Sequence, residues 1–175
     1  LATAAAVCVS VISIYLRFIN GALLAVDIAE PLPGLMLRLE IEPLGMLFAL
    51  VASILWLITS IYAIGYMRTL KEHAQTRFYF SFAVALVGAI GVAFAANLVT
   101  LFIFYEILTI STYPLVAHEE SPEAIAAGHK YLAYLLTGGV FFLVGILAVY
   151  QLVGTTEFSP QGILKPALGT ASRFS

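Results

Sequence analysis

The chain has 175 residues, of which 62% are hydrophobic and only 10% charged, far below the roughly 25% charged residues of soluble domains, so its composition places it in a membrane. A net charge of −2 offers no basic surface for nucleic acid. The absence of a glycine-rich phosphate loop or nucleophile elbow argues against hydrolase, kinase and dehydrogenase chemistry. The single Cys8 and the histidines His73, His118 and His129 lack ligand spacing, so the expectation is no metal and no cofactor.

Five apolar segments approach the roughly 20 residues that a bilayer-crossing helix requires. The first, residues 1–18, closes at Arg17; it starts at Leu1 with no basic stretch before it, so the expectation is a piece of a longer protein rather than an intact secretory signal. Between residues 19 and 43, Leu35, Leu37, Leu39 and Ile41 alternate with Met36, Arg38, Glu40 and Glu42, a period of two that predicts a short strand outside the membrane. The second segment, 44–67, follows Glu42-Pro43, where a proline suits the first helical turn and a carboxylate suits the positive end of the helix dipole. The third and fourth, 78–96 and 98–117, form one apolar stretch too long for a single crossing, and Asn97 is the turn residue that divides them. Ser121-Pro122-Glu123 opens the fifth, running to Val153, with a hydroxyl N-cap and proline at the first helical position.

Arg68, Lys71 and Arg77 cluster in the connection 68–77, so the positive-inside bias puts it in the cytoplasm. By alternation, residues 118–123 share that side, and the tail 154–175, with Lys165 and Arg173, is outside. The division is 1–43, a first span plus extramembrane loop, and 44–175, the remaining spans.

The residues that carry chemistry are charges within these apolar runs. Glu106 lies roughly 16 Å from the end of its helix near Ala117, and Lys130 roughly 12 Å into the next. Consecutive helices on a short loop are antiparallel neighbours, so the two charges are expected at comparable depth, as an ion pair or a proton-exchanging pair. Glu106, Thr109 and Tyr113 fall on one stripe of the fourth helix, and Lys130, Tyr134 and Thr137 on one stripe of the fifth. Lipid cannot satisfy such groups, so the stripes are expected to face each other and hold water between them. Burial and mutual attraction act in opposite senses on the proton equilibrium of such a pair, which would titrate as a unit. Mid-membrane carboxylates mark ion pathways, which favours a proton-relay station over simple helix glue. His129 reads as interfacial or accessory, Glu119, Glu120 and Glu123 as solvated charges and a cap, and Gly138 and Gly139 as a close-packing pair.

"EPLGMLFALVASILWLITSIYAIGYM", ending in Tyr62 to Met67, resembles the segment that opens the antiporter-like membrane subunits of respiratory complex I and of Mrp-type cation/proton antiporters. "RFYFSFAVALVGAIGVAFAANLVTLFIFYEIL" and "AIAAGHKYLAYLLTGGVFFLVGILAVY" are similar to the helices that follow there, so the resemblance covers roughly residues 40–155. It implies an all-α transmembrane bundle, with the five spans here belonging to a fold of about fourteen built on inverted repeats. It aligns Glu106 with the family's membrane glutamate and Lys130 with a lysine of many members. Tyr105 stands where many members have Trp, and the family's principal lysine partner lies on a helix beyond Lys130's.

The resemblance further implies proton translocation within a multi-subunit assembly in a bacterial inner membrane, with no flavin, cluster or haem bound by this chain. Three alternatives stay open: a proton-pumping subunit of an NADH:quinone oxidoreductase, a sodium/proton exchanger subunit, or a purely structural membrane subunit. The expected partners are other membrane subunits, lipid, and protons or sodium.

Overall fold

The computed structural model describes residues 1–32, 35–159 and 162–163; Lys165 and Arg173 lie outside the described residues. In chain order it contains α1 (Ala2–Ile19), β1 (Ala25–Leu32), β2 (Leu35–Glu40), α2 (Pro43–Thr69), α3 (Gln75–Ala93), α4 (Leu98–Val116) and α5 (Pro122–Val153). All five helices are long and apolar enough to cross a membrane. At 1.5 Å per residue, α5 is about 48 Å long, which exceeds the roughly 30 Å hydrocarbon core.

The sequence boundaries correspond to real caps. Pro43 and Pro122 occupy the first turns of α2 and α5. Ser121 accepts a hydrogen bond from Ala124 N at 3.1 Å, and the Asn97 side chain accepts one from Thr100 N at 2.8 Å, each supplying a partner for an otherwise orphaned first-turn donor. Glu42 precedes α2 without a side-chain cap bond. Pro114 lies within α4, which continues to Val116.

The predicted strand is present as β2, and it has a partner that the alternation did not announce. β1 pairs with it antiparallel, from Ala25 opposite Glu40 to Leu32 opposite Leu35, with irregularities on either side of Ala29. The hairpin lies against the α3–α4 turn: Glu40 N donates to Phe94 O at 2.7 Å and Ala96 N to Arg38 O at 3.0 Å. The segment after α5 closes the other side, with Leu98 N donating to Thr156 O and Phe158 N to Ala96 O. Buried Val11, Met46, Ala49 and Phe94 form the apolar core at this end, with Leu39 and Ile41 packed against them.

Small residues set the closest helix approaches, as expected where lipid removes much of the hydrophobic drive for association. Gly88 of α3 faces the backbone of Leu108 on α4, where an added Cβ would meet Leu108 N at 2.9 Å. Gly91 lies under the Phe104 ring, leaving no room for a methyl. Trp56 stacks on Phe82 at 3.9 Å, joining α2 to α3.

At the opposite end the α2–α3 and α4–α5 loops meet, so the paired connections share a side as alternation requires. Glu120 is exposed, as expected of a solvated charge, and is also paired with Arg77 of α3. The two loops are close enough in space for their opposite charges to find each other, a proximity that sequence separation conceals.

Candidate functional site

Glu106 lies near the middle of α4, roughly 12–15 Å from either end. Its carboxyl group rests on α5 at Gly139, which is buried; a methyl group at 139 would overlap Glu106 Oε1. The glycine therefore makes the space that the carboxyl fills, a sharper role than close packing alone. Tyr105 and Phe102 both meet the Phe142 ring edge-on, at centroid separations of 6.0 and 5.9 Å, and flank this contact. Glu106 Oε1 is buried and has no hydrogen-bond partner among the described residues. Buried polar atoms are nearly always satisfied, and the exceptions concentrate where chemistry occurs.

Lys130 is not its partner. Gly128 lies opposite Tyr113 and Ala117, and Gly139 opposite Glu106. That register places Lys130 about nine residues, or roughly 13 Å, from the level of Glu106. The offset arises because residues 122–127 of α5 run past the end of α4, so counting inward from each helix end does not measure a common depth. The facing is different as well: Lys130, Tyr134 and Thr137 are all exposed on the described surface, Tyr134 by 81%. The Thr137 hydroxyl donates to Ala133 O within its own helix. No buried Glu–Lys pair forms, and the two polar stripes do not face each other.

The face of α5 that meets α4 is turned one residue further round. It carries Gly128, Tyr131, Gly139 and Phe142, and its polar link is Thr112 Oγ1 to Tyr131 OH at 2.8 Å. Neither residue was singled out in the sequence; the row of small and aromatic side chains on α5 is the signal that marks this face. Thr109 is buried at 3% exposure on α4. Tyr113 stacks with His129 at 6.2 Å, consistent with an interfacial histidine near the helix start. Thus Glu106, Thr109 and Tyr113 remain on one helix, whereas the expected stripe of α5 lies outside their reach.

Residues 95–167 match the family model for the transmembrane region of NADH:quinone oxidoreductase and Mrp antiporter proteins. The match spans α4, Glu106, the connecting loop and α5. Over that span the chain is similar to the antiporter-like membrane subunits.

Relatives include the putative antiporter subunit mnhA2 of Staphylococcus aureus strain MSSA476, 25% identical over 125 residues, which is 70% of this chain and 15% of the relative. Among solved structures, the membrane-bound sulfane sulfur reductase, an archaeal respiratory membrane complex, gives a TM-score of 0.66 at 27% identity, covering 88% of this chain and 30% of that one. The Mrp complex from Dietzia sp. DQ12-45-1b gives 0.71 at 18% identity, covering 89% and 29%, a likeness of fold. The chain thus spans about 15% of its curated relatives' length and about 30% of these structures' chains. It is an integral, multi-pass, mostly helical membrane protein.

Proposed function

We propose that the chain supplies part of a proton pathway in an ion-translocating membrane assembly, with Glu106 taking up and releasing the proton. The observation that carries this reading is the carboxyl oxygen held in a glycine-made recess of a lipid-spanning helix pair, buried and without a donor among the described residues. A passive structural carboxylate would be expected to have its hydrogen bonds completed. Thr109 and Tyr113 extend the polar side of α4 toward the loop end and are proposed to support the path.

Lys130, Tyr134 and Thr137 are proposed as a second polar stripe that acts on the far side of α5, with His129 accessory at its start. An ammonium group within a spanning helix is expected to seek protein or water rather than lipid. That stripe therefore suits contact with further helices of a longer subunit or of neighbouring subunits, rather than direct exchange with Glu106.

The relatives belong to two kinds of assembly, an antiporter and a respiratory complex, and both readings apply to this chain: sodium/proton exchange, or proton pumping driven by redox chemistry in partner subunits. The location that either reading implies is an energy-conserving membrane, such as a bacterial inner membrane. The test is transport by the full-length protein in its purified native assembly, reconstituted in vesicles. Glu106→Gln should abolish or sharply reduce proton movement while assembly is retained; normal transport by the well-assembled variant would refute the role of Glu106. Dependence on sodium or on a reductant separates the two assemblies.

A further inference from the structure

At the end of the bundle away from the hairpin, two loops bring five ionisable side chains together. Glu72 and His73 come from the α2–α3 loop, Arg77 from the start of α3, and His118 and Glu120 from the α4–α5 loop. The imidazoles of His73 and His118 stack at 5.2 Å with 12° between their planes. Glu72 Oε2 lies 4.0 Å from His73 Nδ1 and 3.9 Å from His118 Nε2, so one carboxylate serves both rings. Glu120 Oε2 lies 3.7 Å from His73 Nε2, and its other oxygen is hydrogen-bonded to Arg77. Arg77 Nη2 also donates to His118 O at 3.3 Å. Phe78 closes the edge of His118 with its ring at 5.3 Å.

We infer that Glu72, His73, His118 and Glu120 form one proton-binding latch, which holds the two loops together when it carries a proton and loosens when it does not. With both imidazoles neutral, two carboxylates face one guanidinium, and the cluster is one negative charge in excess. A single proton on the stacked pair balances it. A second would place like charges on two stacked rings 5.2 Å apart. His118 is the responsive element: both of its ring nitrogens are buried and make no hydrogen bond, although Glu72 lies within ion-pair distance of one of them.

Glu120 stays ionised over the same range. The Arg77 guanidinium, through its hydrogen bond and its charge, holds the Glu120 carboxyl below its ordinary range. The remaining polar groups that face the cluster are Tyr62 and Tyr66 of α2 and Glu119, which line the cleft beside Glu72 and His118, and Tyr113 of α4, which lines the opposite side with Arg77 and Glu120. Among them only Glu119 adds charge near neutral pH, and it reinforces the demand for a proton. Both loops also hold non-glycine residues in the left-handed region, Lys71 and Ala74 in one and Glu120 in the other, a conformation that surrounding contacts must sustain.

His118 lies just beyond the end of α4, the helix of Glu106, so the latch anchors that helix independently of what Glu106 does. The experiment is a spin-label distance measurement on the full-length protein in lipid nanodiscs, with nitroxides at Thr69→Cys and at the uncharged, exposed Val116→Cys in a background freed of native cysteines. A narrow distance component is expected at about pH 5 and its loss at about pH 8, the range over which imidazoles change charge. In His73→Gln/His118→Gln the distribution should no longer respond to pH. An unchanged wild-type distribution across that range overturns the latch without recourse to any variant, and so does a response that persists in the double variant. Glu72→Gln should weaken the narrow component at low pH while leaving transport through Glu106 measurable.

Discussion

The two ends of the helix bundle are held by opposite kinds of polar contact. At the hairpin end, Asn97 is 1% exposed and neutral. Its amide donates to Met36 O at 2.8 Å and to Glu157 Oε1 at 3.1 Å, and its carbonyl oxygen accepts from Thr100 N and Thr100 Oγ1, both at 2.8 Å. Thr100 Oγ1 in turn accepts from Arg38 N at 3.0 Å. One side chain thereby ties together the hairpin, the α3–α4 turn, the start of α4 and the segment after α5. At the loop end, exposed or half-exposed charges and two histidines do the tying. Apart from the link to the Glu157 carboxylate, the Asn97 hydrogen bonds join neutral groups and hold their geometry irrespective of salt or mild pH change, whereas exposed ion pairs are weak, screened and adjustable. The bundle is therefore fixed at one end and tunable at the other, with Glu106 midway along the helix that joins them.

The largest expected effect lies at the fixed end. Asn97→Ala removes the cap of α4 and leaves Thr100 N and Met36 O without their partner inside a buried site. Loss of a cap together with unsatisfied buried groups should destabilise the protein by about 2–4 kcal/mol. Equilibrium unfolding in detergent micelles reads this directly, and a loss similar to that of an exposed surface substitution would show that the hairpin does not fix this end.

A large part of this fold was legible in the sequence because bilayer thickness imposes a length on each apolar run. Turn chemistry at Asn97 and Ser121 then marked the starts of α4 and α5. β1 was hidden because residues 25–32, "AVDIAEPL", include Pro31 and lack sustained alternation. The position of Glu106 was legible, but its partner was not. Depth counted from helix ends assumed that α4 and α5 begin level, and α5 overshoots by residues 122–127. Facing was inferred from polar side chains, yet the real interface is built from Gly128, Tyr131 and Gly139, about 100° round the helix from Lys130. A polar stripe marks a face that avoids lipid; it does not say which neighbour covers it. The loop cluster was missed for a related reason, because His73 and His118 become neighbours only after α3 and α4 have folded back on each other.

Between the two ends, Thr112 and Tyr131 provide an intermediate test. Thr112 also shares hydrogen bonds with Leu108 O and Thr109 O, so Thr112→Val alone overstates the link to α5. A double-mutant cycle with Tyr131→Phe isolates it, and the coupling should be about 0.6 kcal/mol, the average for interhelical hydrogen bonds in membranes. Zero coupling would mean that α5 is positioned by the Gly139 and Phe142 contacts alone.

The smallest effect is expected at the tunable end, and there its pH dependence is more informative than its size. Arg77 keeps the Glu120 carboxyl below the usual carboxylate range. A carboxyl whose folded pKa is lowered contributes stability above its unfolded pKa and loses that contribution as pH falls through the folded value. The Arg77–Glu120 link should therefore survive mild acid, including the range in which the histidines take up protons, and release only in stronger acid. Arg77→Gln removes the link itself, so the variant's loop should be cleaved faster than wild type at neutral pH and should lack the step in strong acid, with added salt making the wild type behave more like the variant. Limited proteolysis of the 117–121 loop as a function of pH measures it. If wild type and variant give superimposable cleavage profiles at low salt, the pair does not restrain the loop. The restraint at that end would then rest on the stacked histidines and Glu72.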